Sequence, residues 1–177
     1  MEIKIRKWQI GDEENLSSNA DNIEISNFMS DGFPSPFDFD AAKIFIQSTL
    51  KTSDNHYFAI TVDDEPVGGI GISVQSDIHR HNAELGYWLG ESFWNKGITT
   101  VAIGLILKYS FDLPDITRIF AKPFGNNIAS HKVLYKSGFK LEARFKNTIV
   151  KNNEILDELI FAILKRDYLR ESRLIHQ

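Results

Sequence analysis

Apolar and polar side chains alternate from residue 2 to residue 10, with Ile3, Ile5 and Lys7 on one side and Lys4, Arg6 and Trp8 on the other. That period of two predicts a strand. Gly11 breaks it, and Asp12 is placed to cap a helix over 13–20, with a short second helix over 21–28. Two prolines forbid regular structure in Asp31-Gly32-Phe33-Pro34-Ser35-Pro36-Phe37. Helical spacing returns through Ala42, Phe45, Ile46 and Leu50, predicting a helix over 39–50. Residues 56–62 and 67–75 read as a hairpin turning at Asp63-Asp64-Glu65-Pro66. Gly68, Gly69 and Gly71 crowd its second strand, which suggests a bulge or the close approach of another group.

A polar loop over 76–81 precedes a strand at 82–90 and a helix at 97–111, whose apolar stripe takes in Ile98, Val101, Ala102, Leu105, Ile106 and Tyr109. Pro114 stops that helix, and a strand is expected over 116–122. Strand, helix, strand at this spacing is a right-handed parallel crossover. A helix near 126–137 ends at Gly138, a residue suited to the left-handed position past a helix end. Strands at 139–150 and 154–165 turn at Lys151-Asn152-Asn153, and the charged tail from Lys165 is expected to fray. The order predicts an α+β fold: a mixed, mostly antiparallel sheet flanked by helices, with one parallel β-α-β crossover. No repeat or linker interrupts residues 1–177, which read as a single domain.

Composition narrows the function classes. Apolar residues at 42% and charged residues at 25% are those of a folded, water-soluble chain. A formal charge of −4 argues against nucleic acid as the main partner. With no cysteine, disulfides, thiolate metal sites and a cysteine nucleophile are excluded. The opening MEIKIRKWQI is charged throughout, so no signal peptide is expected, and no apolar run reaches membrane-spanning length. A cytoplasmic protein, without a membrane partner, is expected. His79 and His81 stand two apart but lack a third ligand nearby, so no metal is expected.

The chemistry concentrates between Glu84 and Thr100, ELGYWLGESFWNKGITT. A glycine-containing turn leading into a helix leaves amide N–H groups unclaimed at the positive end of the helix dipole, a seat for phosphate. Gly97 lets an anion approach without a Cβ in the way. Lys96 either pairs with the anion or stays a surface lysine. Phe33, Phe37 and Phe39 either plug the adjacent core or line a pocket.

Trp94-Asn95-Lys96-Gly97-Ile98-Thr99-Thr100 resembles motif A of the GNAT superfamily, the acetyl-CoA-dependent N-acetyltransferases, Q/R-x-x-G-x-G/A. Trp94 replaces the usual Gln or Arg, and Thr99 stands where glycine or alanine is usual. The early loop 31–37, His81-Asn82-Ala83-Glu84-Leu85-Gly86-Tyr87-Trp88-Leu89-Gly90, Asn127-Ile128-Ala129-Ser130, Gly138-Phe139 and Asp157 resemble the ribosomal-protein alanine N-acetyltransferase branch. The likeness runs in order along nearly the whole chain.

The resemblance implies a GNAT fold with acetyl-CoA as co-substrate and no metal. It places the CoA diphosphate on the amides of Asn95, Lys96, Gly97, Ile98, Thr99 and Thr100. Pantetheine would lie along the backbone of Trp88 and Leu89, where a bulge at Gly86 is expected, and Asn127 would bond CoA, cap its helix, or both. It implies acetyl transfer to a primary amine by direct attack, the acceptor being a protein N-terminus or a small amine. Glu84 is the candidate base; its alternative role is an ion pair with Arg80 or Arg118, and burial at the head of the strand is expected to raise its pKa. Ser130 is the candidate partner of the leaving sulfur. Tyr135 is one residue, about 100° of helix, away from the family's tyrosine position, which Leu134 holds. Phe33, Phe37 and Tyr87 are candidates to wall the acceptor, and Asp157 has no assigned role. A non-catalytic acyl-CoA binding or sensing domain is the alternative function, and a homodimer is among the assemblies open to the chain.

Overall fold

The computed structural model describes residues 1–51 and 56–175. Its elements are β1 (Ile3–Lys7), α1 (Glu13–Ala20), α2 (Ile23–Ser26), α3 (Phe39–Leu50), β2 (Tyr57–Val62), β3 (Glu65–Val74), β4 (Asn82–Leu89), α4 (Ile98–Asp112), β5 (Arg118–Ala121), α5 (Ile128–Lys136), β6 (Lys140–Lys151), β7 (Glu154–Leu164) and α6 (Lys165–Ile175). Seven strands form a mixed sheet in the order β1-β2-β3-β4-β5-β7-β6. β4 and β5 are parallel, joined by α4, while β1–β2, β2–β3, β5–β7 and β6–β7 are antiparallel. The fold is the α+β arrangement expected. The chain divides into two compact units, residues 1–71 with 87–105, and residues 72–86 with 106 onward.

In the first unit, Trp8, Leu16, Ala20, Phe37, Ala42, Ile46 and Ala59 form the core, with Phe33, Phe45 and Trp88 packed on it. Trp8 is 2% exposed. The alternation had grouped it with Lys4 and Arg6, but β1 ends at Lys7 and the next side chain turns inward. Asp12 does not cap α1. Its carboxylate takes both ends of the Arg6 guanidinium at 2.7 and 2.9 Å and the Gln9 amide at 2.9 Å, so neither carboxylate oxygen bonds the helix, and only its carbonyl does, accepting the Leu16 amide at 2.8 Å. The expected second helix shortens to Ile23–Ser26, capped by Asn22. α3 is capped by Asp38, and Thr49 rather than Leu50 joins its buried face.

The β2–β3 hairpin turns on Asp63 and Asp64 alone, both left-handed, so Glu65 and Pro66 belong to the strand. The glycines of β3 answer to close packing. A Cβ at Gly68 would lie 2.5 Å from the Trp88 carbonyl, and one at Gly69 would lie 2.5 Å from the Trp88 indole nitrogen. Gly71 abuts Tyr57.

α4 buries Ile98, Ala102, Ile103, Ile106, Leu107, Ser110 and Phe111. The expected stripe was rotated: Val101 is 45% exposed, and Leu105 and Tyr109 are only half-buried. A helix this apolar has hydrophobic residues on nearly every side, so spacing does not select the face.

In the second unit, Ala83, Leu85, Ile119, Leu134, Phe139 and Phe161 are among the buried residues. α5 ends at the left-handed Gly138, where Phe139 N–H donates to Leu134 O at 3.1 Å. β6 and β7 turn on the left-handed Asn152 and Asn153. The tail expected to fray is helical from Lys165 to Ile175, and its last two residues lie outside the described residues.

Gly68→Ala drives a methyl into a backbone carbonyl and is expected to lower stability by about 2 kcal/mol. Gly104→Ala, on α4 with open space at its Cβ, is expected to raise stability by about 0.5–1 kcal/mol. Urea unfolding of the two variants checks this, and equal effects would contradict the packing described.

Candidate active site

β4 leaves the first unit's core at Leu89 and enters a short 3-10 turn, Glu91–Phe93, closed by Trp94 N–H to Glu91 O at 3.0 Å. The Trp94 indole N–H donates back to Leu89 O at 2.6 Å. That bond uses the side chain standing where the motif has Gln or Arg. Asn95 (φ 60°) and Gly97 (φ 77°) are both left-handed, bending the chain into α4. Space at the Gly97 Cβ position is open.

Among the described residues no group accepts the amide of any residue from Asn95 to Thr100; the first donor that finds an acceptor is Val101, to Gly97 O at 3.2 Å. Asn95, Lys96 and Gly97 are exposed and Thr99 and Thr100 are half-buried, while the Ile98 side chain enters the core. The Lys96 ammonium is turned back, donating to Ser92 O at 2.8 Å and lying 5.4 Å from the Phe93 ring centre. Of the aromatic candidates, Phe37 is 3% exposed and is a core residue, which corrects its expected place in a wall. Phe33 and Tyr87 are half-buried, and the Phe33 ring packs at 4.9 Å on Phe37 and 6.2 Å on Trp88. Phe39 is 53% exposed.

In the second unit, the parallel ladder pairs Asn82–Glu84 with Arg118–Phe120, and β4 runs on past its last rung. Gly86 is exposed with open space at its Cβ position. The Glu84 carboxylate lies 3.0 Å from Lys122, at 33% side-chain exposure. It is half-buried and is not paired with Arg80 or Arg118; Arg118 binds Glu142 and Asn82 instead. Lys122 lies just past the end of β5, so only the parallel pairing brings it to Glu84.

Asn127 caps α5, its side-chain oxygen accepting the Ser130 amide at 3.1 Å. Among the described residues its carboxamide nitrogen finds no acceptor. Ser130 is half-buried in the first turn of α5. Leu134 is fully buried, and Tyr135, 56% exposed, rests edge-on against Phe161. Among the described residues no cluster of metal-ligating side chains occurs. No described helix is long and apolar enough to cross a membrane.

The comparisons with known proteins bear on this geometry. The family model described as an acetyltransferase (GNAT) domain matches residues 2–140. The chain belongs to the GNAT acetyltransferase family. It is similar to the uncharacterized N-acetyltransferase p20 of Bacillus licheniformis, at 28% identity over 94% of each chain. A GNAT-family acetyltransferase from Bacillus anthracis superposes with a TM-score of 0.80 at 25% identity, covering 94% of this chain and 96% of that one. RimL, a ribosomal L7/L12 α-N-protein acetyltransferase solved with coenzyme A, superposes with a TM-score of 0.79 at 21% identity, covering 92% and 93%.

Within this GNAT chain the structure gives Asp157 a role that spacing did not reveal. Its carboxylate accepts the Asn147 amide at 2.9 Å and binds Arg144 at 2.6 Å. Asn147 is left-handed (φ 58°) and sits in the irregular stretch of β6 between Phe145 and Ile149. The Asp157 carbonyl accepts the Gly125 amide at 2.7 Å, and a Cβ at Gly125 would meet Asp157 Cβ at 2.9 Å. One residue thus holds the break in β6 and the turn that leads to Asn127.

The Asn147 amide, and then Arg144, hold the Asp157 carboxyl below its ordinary pKa. A depressed carboxylate stabilises the fold above its unfolded pKa, about 3.9, and that contribution is lost as pH falls through the lower folded value. Wild type is therefore expected to melt higher than Asp157→Asn at neutral pH, the gap closing below about pH 4. Thermal melts from pH 7 to pH 2 check it; a gap that stays constant would contradict the assignment.

Proposed function

We propose that this protein moves an acetyl group from acetyl-CoA to a primary amine, by direct attack and without a covalent enzyme intermediate. The observation that carries the reading is the unclaimed run of amides from Asn95 to Thr100 at the start of α4. Such a run, at the positive end of a helix dipole, fits the CoA diphosphate. The left-handed Gly97 adds no side chain between that run and the ligand. Lys96 serves the seat by holding the 3-10 turn rather than by reaching for phosphate. The Asn127 carboxamide, whose oxygen caps α5, offers its nitrogen as a further donor to CoA.

The proposed reaction asks little of the protein beyond positioning and proton transfer. The amine nitrogen attacks the thioester carbon, a C–N bond forms, and the C–S bond breaks. Glu84 accepts the proton that the nitrogen loses, directly or through one water, while Lys122 orients the carboxylate. A backbone amide of Trp88 or Leu89 steadies the oxyanion, an effect worth about 3 kcal/mol where such donors have been removed. Ser130 donates to the departing thiolate. Phe33 and Tyr87 form the acceptor's aromatic wall. An α-amino group, with pKa near 8, loses its proton more readily at neutral pH than lysine, near 10.4, so an N-terminal amine is the favoured acceptor. RimL, which acts on such an amine, shares the fold.

Thiol release from acetyl-CoA against a panel of N-terminal peptides and small amines tests the proposal. Glu84→Gln is expected to lower kcat by about 100-fold while CoA binding stays within about twofold. Equal turnover in both proteins removes Glu84 from the mechanism. CoA-stabilised melting with no thiol release on any amine would favour a binding or sensing domain.

A further inference from the structure

The 3-10 turn Glu91–Phe93 decides where the unclaimed amides begin, since its carbonyls hold both Trp94 N–H and the Lys96 ammonium. The turn is held from three directions. Gly90 N–H donates to Val67 O at 2.8 Å. Gly90 also lies against the Asn19 carboxamide, which leaves no space there for a Cβ. The third hold is distant in sequence: Asn22 Nδ2 donates to Glu91 Oε2 at 2.7 Å. Both ends of the Asn22 carboxamide are engaged, because its oxygen accepts the Glu24 amide at 2.8 Å and caps α2. The preceding residue, Asp21, accepts the Phe37 amide at 2.9 Å and so anchors the end of the loop that carries Phe33.

We propose that Asn22 is a positioning residue for the diphosphate seat: one end of its carboxamide caps α2 and the other fixes Glu91, and with it the start of the Asn95–Thr100 amides. The inference rests on the reading of that seat as the CoA site. Asn22 touches no substrate and acts through Glu91. With Asp21 beside it, the same short stretch anchors the aromatic loop and the cofactor turn.

The two ends of the carboxamide can be tested separately. Asn22→Asp keeps the capping oxygen but replaces the donor with an oxygen facing the Glu91 carboxylate. It is expected to raise KM for acetyl-CoA and the calorimetric Kd for CoA about fivefold or more, with kcat within about twofold. Glu91→Gln added to Asn22→Asp places an amide donor opposite the new carboxylate and is expected to restore most of the affinity. Ile23→Asp, at an exposed neighbouring position, adds the same charge without cutting the link and is expected to leave KM unchanged.

A loss confined to stability, with KM unmoved, overturns the inference. So does a double variant no better than Asn22→Asp, or an Ile23→Asp effect as large as that of Asn22→Asp. Wild type that binds no CoA overturns the parent reading and this inference together. Wild type that binds CoA no better than Asn22→Asp does overturns this inference alone.

Discussion

Every α-helix begins with amide groups that its own turns cannot satisfy, and something outside the helix has to accept them. Asn22, Asp38 and Asn127 do so for α2, α3 and α5. α1 lacks a side-chain cap, yet Glu13 and Glu14 set negative charge in its first turn. α4 is the longest of these helices and has no acidic residue in its first turn. Among the described residues no side chain accepts its leading amides either. A positive helix end left uncompensated beside solvent is a standing demand for an anion. The approach runs through Trp94, the left-handed Asn95 and the left-handed Gly97, and further features of the chain fall into line with that demand.

Those features are the packing that fixes the approach. Trp88 lies so close to β3 that Gly68 and Gly69 cannot carry side chains, which ties β4 to the core of the first unit. From Leu89 onward the Trp94 indole, the Val67 carbonyl and the Asn22 carboxamide each hold one link of the turn. Asp157 does comparable work in the second unit, where its carbonyl and its carboxylate hold the Gly125 turn and the break in β6. The donors proposed to hold the CoA diphosphate are backbone amides, and Asn127 adds a capping carboxamide; surrounding side chains hold these groups still. Preorganised donors of this kind lose little freedom when a ligand arrives.

The sequence was legible where local chemistry alone decides structure. Asp63-Asp64 and Asn152-Asn153 tolerate left-handed backbone, and Gly138 ends α5 as its position suggested. The left-handed turn into α4 was readable too, because Gly97 before an apolar helix is a local signal. Legibility failed where a distant partner decides. Asp12 looked like a cap until Arg6 claimed its carboxylate. Phe37 could be read as pocket or core, and its contacts with Trp8 and Ile46 in one cluster settle it as core. Glu84 was read as buried or paired with an arginine, because Lys122, thirty-eight residues on by the numbering, reaches it only through the parallel ladder. The face of α4 was misjudged because a nearly uniform apolar helix carries no local mark of which side meets the sheet.

Charge bears on the proposed seat, whose donors are neutral. The chain carries a formal charge of −4, so its long-range field repels a diphosphate rather than gathering it. A lysine at the seat would offset this, but the Lys96 ammonium is spent on Ser92 O. What remains is short-range: aligned amides and a helix end, whose pull falls off within a turn. Such a site gains little from charge at a distance and depends on the amides being in register when the ligand arrives. Small displacements of the turn at Glu91–Phe93 then matter more than surface charge does. On the proposed reading, a hydrogen bond as modest and exposed as that between Asn22 and Glu91 carries weight out of proportion to its strength.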